Sequence, residues 1–268
     1  MSYGPYWALI KMISVVIPVY NNAETLDAAV QSVVRQSVFR SIRVLISDDA
    51  STDRSAQKAA GWAESYSNIS LSVNSKNLGV MGNYRMLLSH CDSAFVAPIE
   101  ADDVWTSNTR LQILQASLAR SDAASCFNHF SVKDGNRYRL SVTDRKPGRY
   151  SRLSAFDLIE ENAPGSFTNC FYKTEALRDV LDETQESFGY DWMVNTVMAA
   201  RTPGMDFLPA VLSSYQISPN GAWSSLDRRC KIEKTLESLL AMKAHLPARY
   251  MQNIGRRAET LRRELNDD

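Results

Sequence analysis

The sequence predicts an α/β fold built on a mainly parallel sheet, with a mixed second half and helices at the carboxy terminus. Two observations predict it. Short β-branched apolar runs alternate with amphipathic helical patterns through the first half, and three of those runs end in polar residues. A β-α-β-α order favours parallel pairing with right-handed crossovers. In such sheets ligands bind beyond the carboxyl ends of the strands.

Residues 13–19 (ISVVIPV) form the first run, continuous enough for a strand buried on both faces. Pro18 lies near its end, where a lost ladder hydrogen bond costs least. Asn21, followed three residues later by Glu24, reads as a helix-start capping arrangement. Leu26, Val30, Val33 and Val34 then recur on one helical face. A second strand over 43–47 ends at Asp48-Asp49, with Ser51 or Asp53 available to cap a helix over about 53–66. A third strand covers 69–73, and a loop through Asn77 and Gly79 leads into a helix over about 82–90. A fourth strand, 94–99, runs straight into Glu100-Ala101-Asp102-Asp103. The strand ends at Tyr20-Asn21, Asp48-Asp49 and 100–103 are therefore expected on one rim.

Beyond residue 120 the pattern is mixed. Runs at 127–132 and 137–142 flank Asp134-Gly135, a hairpin signal. Asp191-Trp192 opens a helix toward Ala200. Ile232, Leu236, Leu239 and Leu240 make one helical stripe and Ile254, Ala258, Leu261 and Leu265 another, with Pro247 between them. The expected organisation is an extension at 1–11, a main domain at 12–225 with halves 12–120 and 121–225, and a helical appendage at 226–268.

Of 268 residues, 44% are hydrophobic and 22% charged, an ordinary globular composition. Thirty basic and thirty acidic residues balance to zero, which argues against nucleic acid as a partner. No stretch reaches the roughly 18–20 apolar residues that span a bilayer. Cys91, Cys126, Cys170 and Cys230 form no C-x-x-C pair and read as reduced thiols, and His90, His129 and His245 share no metal-ligand spacing. A cytoplasmic location is the expectation, with the inner membrane face as a variant of it. Arg256, Arg257, Arg262 and Arg263 beside an apolar stripe suggest peripheral membrane contact through the last helices. Glu259, Glu264, Asp267 and Asp268 dilute that charge and favour helix docking.

Glu100-Ala101-Asp102-Asp103 crowds three carboxylates at a buried strand end. Like charges there are relieved by a cation, and hard oxygen ligands suit Mg²⁺ or Mn²⁺ bridging substrate phosphates. A solvated acidic loop before the helix that follows Ser107 is the competing reading. Asp48-Asp49 offers a carboxylate to a base or ribose.

Taken together, 13–21 (ISVVIPVYN), Gln36, 47–53 (SDDASTD), Asn77-x-Gly79 and 100–105 (EADDVW) resemble glycosyltransferase family 2 in order and separation. The likeness covers about 12–120. It continues more loosely to Trp223 through Gly189-Tyr190-Asp191-Trp192 and Ser214-Tyr215. It implies a GT-A fold, a nucleotide-sugar donor, a glycan or lipid-linked glycan acceptor, a Mn²⁺ or Mg²⁺ cofactor, and inversion at the anomeric carbon. The setting implied is bacterial O-antigen or capsule synthesis. By motif, Pro18, Tyr20, Asn21, Glu24, Asn77 and Gly79 would line the nucleotide-sugar pocket. Asp49 would contact the base, with Asp48 supporting its loop. Glu100 and Asp102 would hold the metal, Asp103 would meet metal or sugar, and Asp191 would be the general base, with a helix-capping role as its alternative. The sequence departs from the family where Glu100 replaces Asp, where no acidic residue precedes Asp191, and where Gln216 and Ser218 stand in place of Arg and His; 221–224 (GAWS) is the stretch placed to compensate. A degenerate, binding-only domain is the alternative from another class. The absence of a Gly-rich phosphate loop disfavours nucleotidyltransferases, dehydrogenases and P-loop enzymes.

Overall fold

The computed structural model describes residues 13–141, 152–184, 189–217 and 223–267. The expected extension at 1–11, Ser218, Gly221 and Ala222 lie outside them. Among the described residues one ten-stranded sheet runs through the whole domain. Strand β1 (Ile13–Val19) pairs in parallel with β2 (Arg43–Asp48) on one side and β4 (Phe95–Pro98) on the other, and β3 (Ile69–Val73) extends the parallel set beyond β2. The sheet then turns mixed. Strand β9 (Cys170–Lys173) is antiparallel to β4 and to β6 (Ser125–Asp134), and the long β10 (Met205–Ile217) runs parallel to β6. Strand β5 (Val104–Trp105) adds antiparallel to β10, β7 (Arg137–Leu140) closes a hairpin on β6, and β8 (Arg152–Leu153) pairs with β10.

The alternation along β1 explains its composition. Ile13, Val15, Ile17 and Val19 enter one core with helices α1 (Leu26–Val34) and α4 (Arg110–Leu118). Val16 points the other way, into a core shared with α3 (Gly79–Ser89), α6 (Thr174–Glu183) and α7 (Tyr190–Arg201). Ile13, Val15, Val16, Ile17 and Val19 are each at most 1% exposed. Helix α2 (Ser55–Ser65) covers β2 and β3.

Pro247 separates helices α8 (Arg228–Ala241) and α9 (Met251–Asn266) as expected. Their apolar stripes are buried in the same core as α7, with Leu239, Ile254, Ala258 and Leu261 at 2% exposure or less. The apolar face that the membrane reading requires is consumed by helix docking, and Arg256 is bound to Glu160 on α5 (Ala155–Glu160) at 2.6 Å. No helix of the described residues is long and apolar enough to cross a membrane. The four cysteines are free thiols.

One local expectation is corrected. Asn21 and Glu24 do not cap α1, whose N-cap is Thr25 without a side-chain bond. Asn21 instead takes a left-handed backbone (φ 54°), and its Oδ1 accepts the Thr52 amide at 2.8 Å. Asparagine tolerates that conformation better than most residues, so the side chain is spent on the neighbouring loop.

Burial of α9 predicts that Leu261→Ala lowers stability by about 2–5 kcal/mol, whereas Arg262→Ala, on the exposed face, changes it by less than about 0.5 kcal/mol. Urea unfolding of the two variants measures both.

Candidate active site

Because β1, β2 and β4 are parallel neighbours, their carboxyl ends open on the same rim. On one flank the loops after β1 and β2 hold each other. The Asn21 amide donates to Ser51 Oγ at 2.9 Å, Asn22 to Ser55 Oγ at 2.8 Å, and Ala23 to Asp53 Oδ2 at 3.0 Å. Asp53 Oδ1 takes the Ser55 amide, so Asp53 serves the start of α2. Asp48 is fully buried, and its Oδ1 accepts the Ser51 amide at 2.9 Å, a loop-holding contact. Asp49 takes two donors on one oxygen. Asn74 Nδ2 and the Leu78 amide both reach Oδ1 at 2.8 Å. Gly79 (φ 75°) accepts the left-handed turn, and its amide donates to Asn77 Oδ1 at 2.9 Å. Tyr20 and Glu24 are exposed beside this loop pair, and Pro18 is half-buried. Gln36 is structural: it bridges the end of α1 to Ser107 O and the Leu111 amide.

On the other flank of β1, the acidic segment forms a tight turn. The Asp103 amide donates to Glu100 O at 3.0 Å, which leaves Ala101 and Asp102 at the corners. Asp103 is buried, with Oδ1 accepting the Gln216 amide at 2.9 Å and Oδ2 accepting Ser166 Oγ at 3.3 Å. It is thereby tied into the wall, while Asp102 stands half-buried at the apex. The Glu100 carboxylate accepts the hydroxyl of Tyr190. That bond brings the start of α7, and with it Asp191, against the acidic turn. Asp191 is not the N-cap of α7, a position held by Gly189. Its Oδ2 accepts Asn162 Nδ2 at 3.0 Å. Gly189 is itself seated by Ser238 of α8, whose Oγ accepts its amide at 3.0 Å. A Cβ at Gly189 would lie 2.7 Å from that oxygen, so a larger residue there requires the Ser238 side chain to move.

Sequence reasoning singled out the acidic residues and Tyr190 but passed over Asn162, Ser166, Thr168 and Ser238. Their contacts span 29–68 residues of chain and carry no local period. Gln216 contributes its backbone amide, and its side chain folds back on Ser214.

The electrostatics follow from burial. Desolvation, then the charges of Asp103 and Asp102, hold the Glu100 carboxyl well above the usual range. Burial raises Asp102 as well. Asp103 is pushed from 3.8 to about 8 by burial and by Asp102, against the hydrogen bonds of Gln216, Thr168 and Ser166. Burial raises Asp191, opposed by Asn162. The donor set fits a hard divalent ion: Asp102 and one oxygen of Glu100 face a crowded acidic site. Among the described residues no group of three or more His, Cys, Asp or Glu side chains is arranged to hold a metal ion by itself.

A parallel first half, a mixed second half and an acidic turn at the rim make up a GT-A type of fold. The sequence pattern of Glycosyl transferase family 2 matches residues 14–181, and the chain belongs to that family. It is 24% identical over 125 residues to the UDP-Glc:alpha-D-GlcNAc-diphosphoundecaprenol beta-1,3-glucosyltransferase of Escherichia coli, covering 47% of this chain and 48% of that one. It is 32% identical over 153 residues to the succinoglycan biosynthesis protein ExoW of Rhizobium meliloti, covering 56% and 47%. The chain thus spans about half the length of these two relatives. Among solved structures it resembles the mannosyltransferase PcManGT of Pyrobaculum calidifontis, in complex with GDP-Man and Mn2+. The TM-score is 0.68 at 18% identity, over 92% of this chain and 68% of that one.

The raised carboxyls predict a pH dependence. Asp103 binds its proton more tightly folded than unfolded, so its contribution to stability is full below about pH 4 and is lost as pH rises through about 8. With EDTA present, the contribution of this site should fall across that window, and Asp103→Asn, which cannot ionise, should flatten that part of the curve. Thermal melts from pH 4 to 9 of the two proteins measure it.

Proposed function

We propose that the protein transfers a sugar from a nucleotide-sugar donor to a hydroxyl of a glycan or lipid-linked glycan, with inversion and with a divalent cation. The observation that carries this reading is the Tyr190–Glu100 hydrogen bond, because it joins the start of α7, with the half-buried carboxylate of Asp191, to the acidic turn. Asp102 and Glu100 would hold Mn²⁺ or Mg²⁺, which when bound neutralises charge developing on the leaving diphosphate.

The loops after β1 and β2 would seat the nucleotide. Asp49 Oδ1 is taken by two donors, so Oδ2 is the oxygen left for a base. One acceptor suits the single ring N–H of uracil, whereas guanine presents adjacent N–H groups that a carboxylate meets with both oxygens. A UDP-sugar is therefore the favoured donor, in keeping with the donor in the name of the E. coli relative.

Asp191 would accept the proton of the incoming hydroxyl, and its raised affinity for protons suits a base working near neutral pH. The hydroxyl oxygen forms its bond to the anomeric carbon as the bond to the diphosphate oxygen breaks. The nucleoside diphosphate leaves with that electron pair, through an oxocarbenium-like state. Placing both substrates across one rim supplies further acceleration. The names of the relatives support a role in surface or secreted polysaccharide assembly.

A donor screen reading release of free nucleoside diphosphate, with and without Mn²⁺, tests the proposal. UDP-sugars should be turned over and GDP-sugars poorly; no release from any donor would favour the binding-only domain. Asp102→Ala should abolish Mn²⁺-dependent donor binding, which calorimetry would register. Asp191→Asn should leave donor binding near normal while transfer falls about 10²- to 10⁴-fold. Near-normal transfer by that variant would reject Asp191 as the base, and loss of donor binding would place it on the donor side of the cleft.

A further inference from the structure

The segment that follows Gly165 crosses beneath the acidic turn, and nearly every polar atom of Thr168 is engaged there. Its Oγ1 accepts the Glu100 amide at 3.0 Å, and its hydroxyl helps hold the Asp103 carboxyl down against the effect of burial. Its carbonyl accepts Trp105 Nε1 at 3.2 Å and Arg110 Nη2 at 2.8 Å. One residue therefore grips the turn at its first position and, through Trp105, the chain just beyond it. Only the apex, Ala101-Asp102, is left to the turn's own geometry.

Arg110 fixes Thr168 in turn. Its side chain is fully buried and faces no carboxylate. The guanidinium lies 4.5 Å from the centre of the Trp105 ring and donates to Asn128 Oδ1, Thr168 O and Cys170 O at 2.8–3.0 Å. A charge buried without an anion is costly unless carbonyl dipoles face it. This one is bound to carbonyls on both sides of Asn169, so the 168–170 backbone is held against α4. Asn128 extends the lattice through Ser213 Oγ at 2.7 Å to Asn169 Oδ1 at 2.6 Å.

We infer that Thr168, anchored by Arg110, is a positioning residue that presents the carboxylates of the Glu100–Asp103 turn to the cation and diphosphate. The inference rests on the transferase reading above and assigns the function of holding the turn to a residue outside it. An oxygen is required at this position because it accepts the Glu100 N–H. Serine keeps that acceptor; valine, of the same shape, does not.

The test is calorimetric titration of Mn²⁺ in the presence of UDP, with melts of each protein alongside. Thr168→Val should bind Mn²⁺ about tenfold more weakly, the scale of one lost buried hydrogen bond. Thr168→Ser should recover to within about threefold of wild type. A purely structural role would lower the melting temperature of Thr168→Val while leaving Mn²⁺ affinity in the folded protein unchanged, and that result would overturn the inference. If the valine variant does not fold, Thr168→Ala, which introduces no extra bulk, carries the same comparison with Thr168→Ser. Wild-type protein that binds no Mn²⁺ with UDP would instead overturn the transferase reading and this inference with it.

Discussion

Repulsion among buried carboxylates is the constraint around which this molecule is arranged. Glu100, Asp102, Asp103 and Asp191 share one cleft, and the first and last of these influence each other across it. Carboxylates gathered in a low-dielectric site push one another toward the protonated form unless donors or a cation offset the charge. The protein supplies donors unequally. Asp103 receives two, from Gln216 and Ser166, and becomes part of the wall. Glu100 receives the Tyr190 hydroxyl and Asp191 the Asn162 amide. Asp102 is left with its own backbone amide. The gradient in hydrogen bonding separates the structural carboxylate from the one free to take a ligand, although all sit within four positions or one hydrogen bond of each other.

The donor half was legible in the sequence because its signals are local. The runs at 13–19, 43–47 and 94–99 announce buried parallel strands, and polar residues directly after each run must fall on one rim once the strands pair. The hairpin at Asp134-Gly135 and the helix break at Pro247 were equally readable. What escaped was set by contact between distant segments. Asn21 looked like a cap because capping is the commonest use of asparagine before a helix; its partner Thr52 is 31 positions away. Arg110 reads as one more basic residue at a helix start, and nothing in its neighbours announces a fully buried guanidinium that donates to Asn128, Thr168 and Cys170. The last two helices were read as an appendage, whereas Ser238 seats Gly189 at the start of α7.

The departures from the family pattern acquire a physical meaning in this arrangement. Gln216 stands where the family resemblance implies an arginine, yet the contact it makes with the acidic turn comes from its backbone amide, which any residue but proline would supply. Its side chain is turned back on Ser214. Charge compensation at Asp103 therefore comes from neutral donors, the Gln216 amide on β10 and the Ser166 hydroxyl.

The interlocked loops after β1 and β2 have a consequence for binding entropy. Asn21, Asn22 and Ala23 are each tied by their amides to side chains between Ser51 and Ser55, and Thr52 is tied back to Asn21. The freedom of both loops is therefore surrendered when the chain folds, before any donor arrives. A ligand meeting such a surface owes little for ordering it, so discrimination between donors there depends on the match of hydrogen-bonding groups and not on whether a ligand can organise the loops around itself.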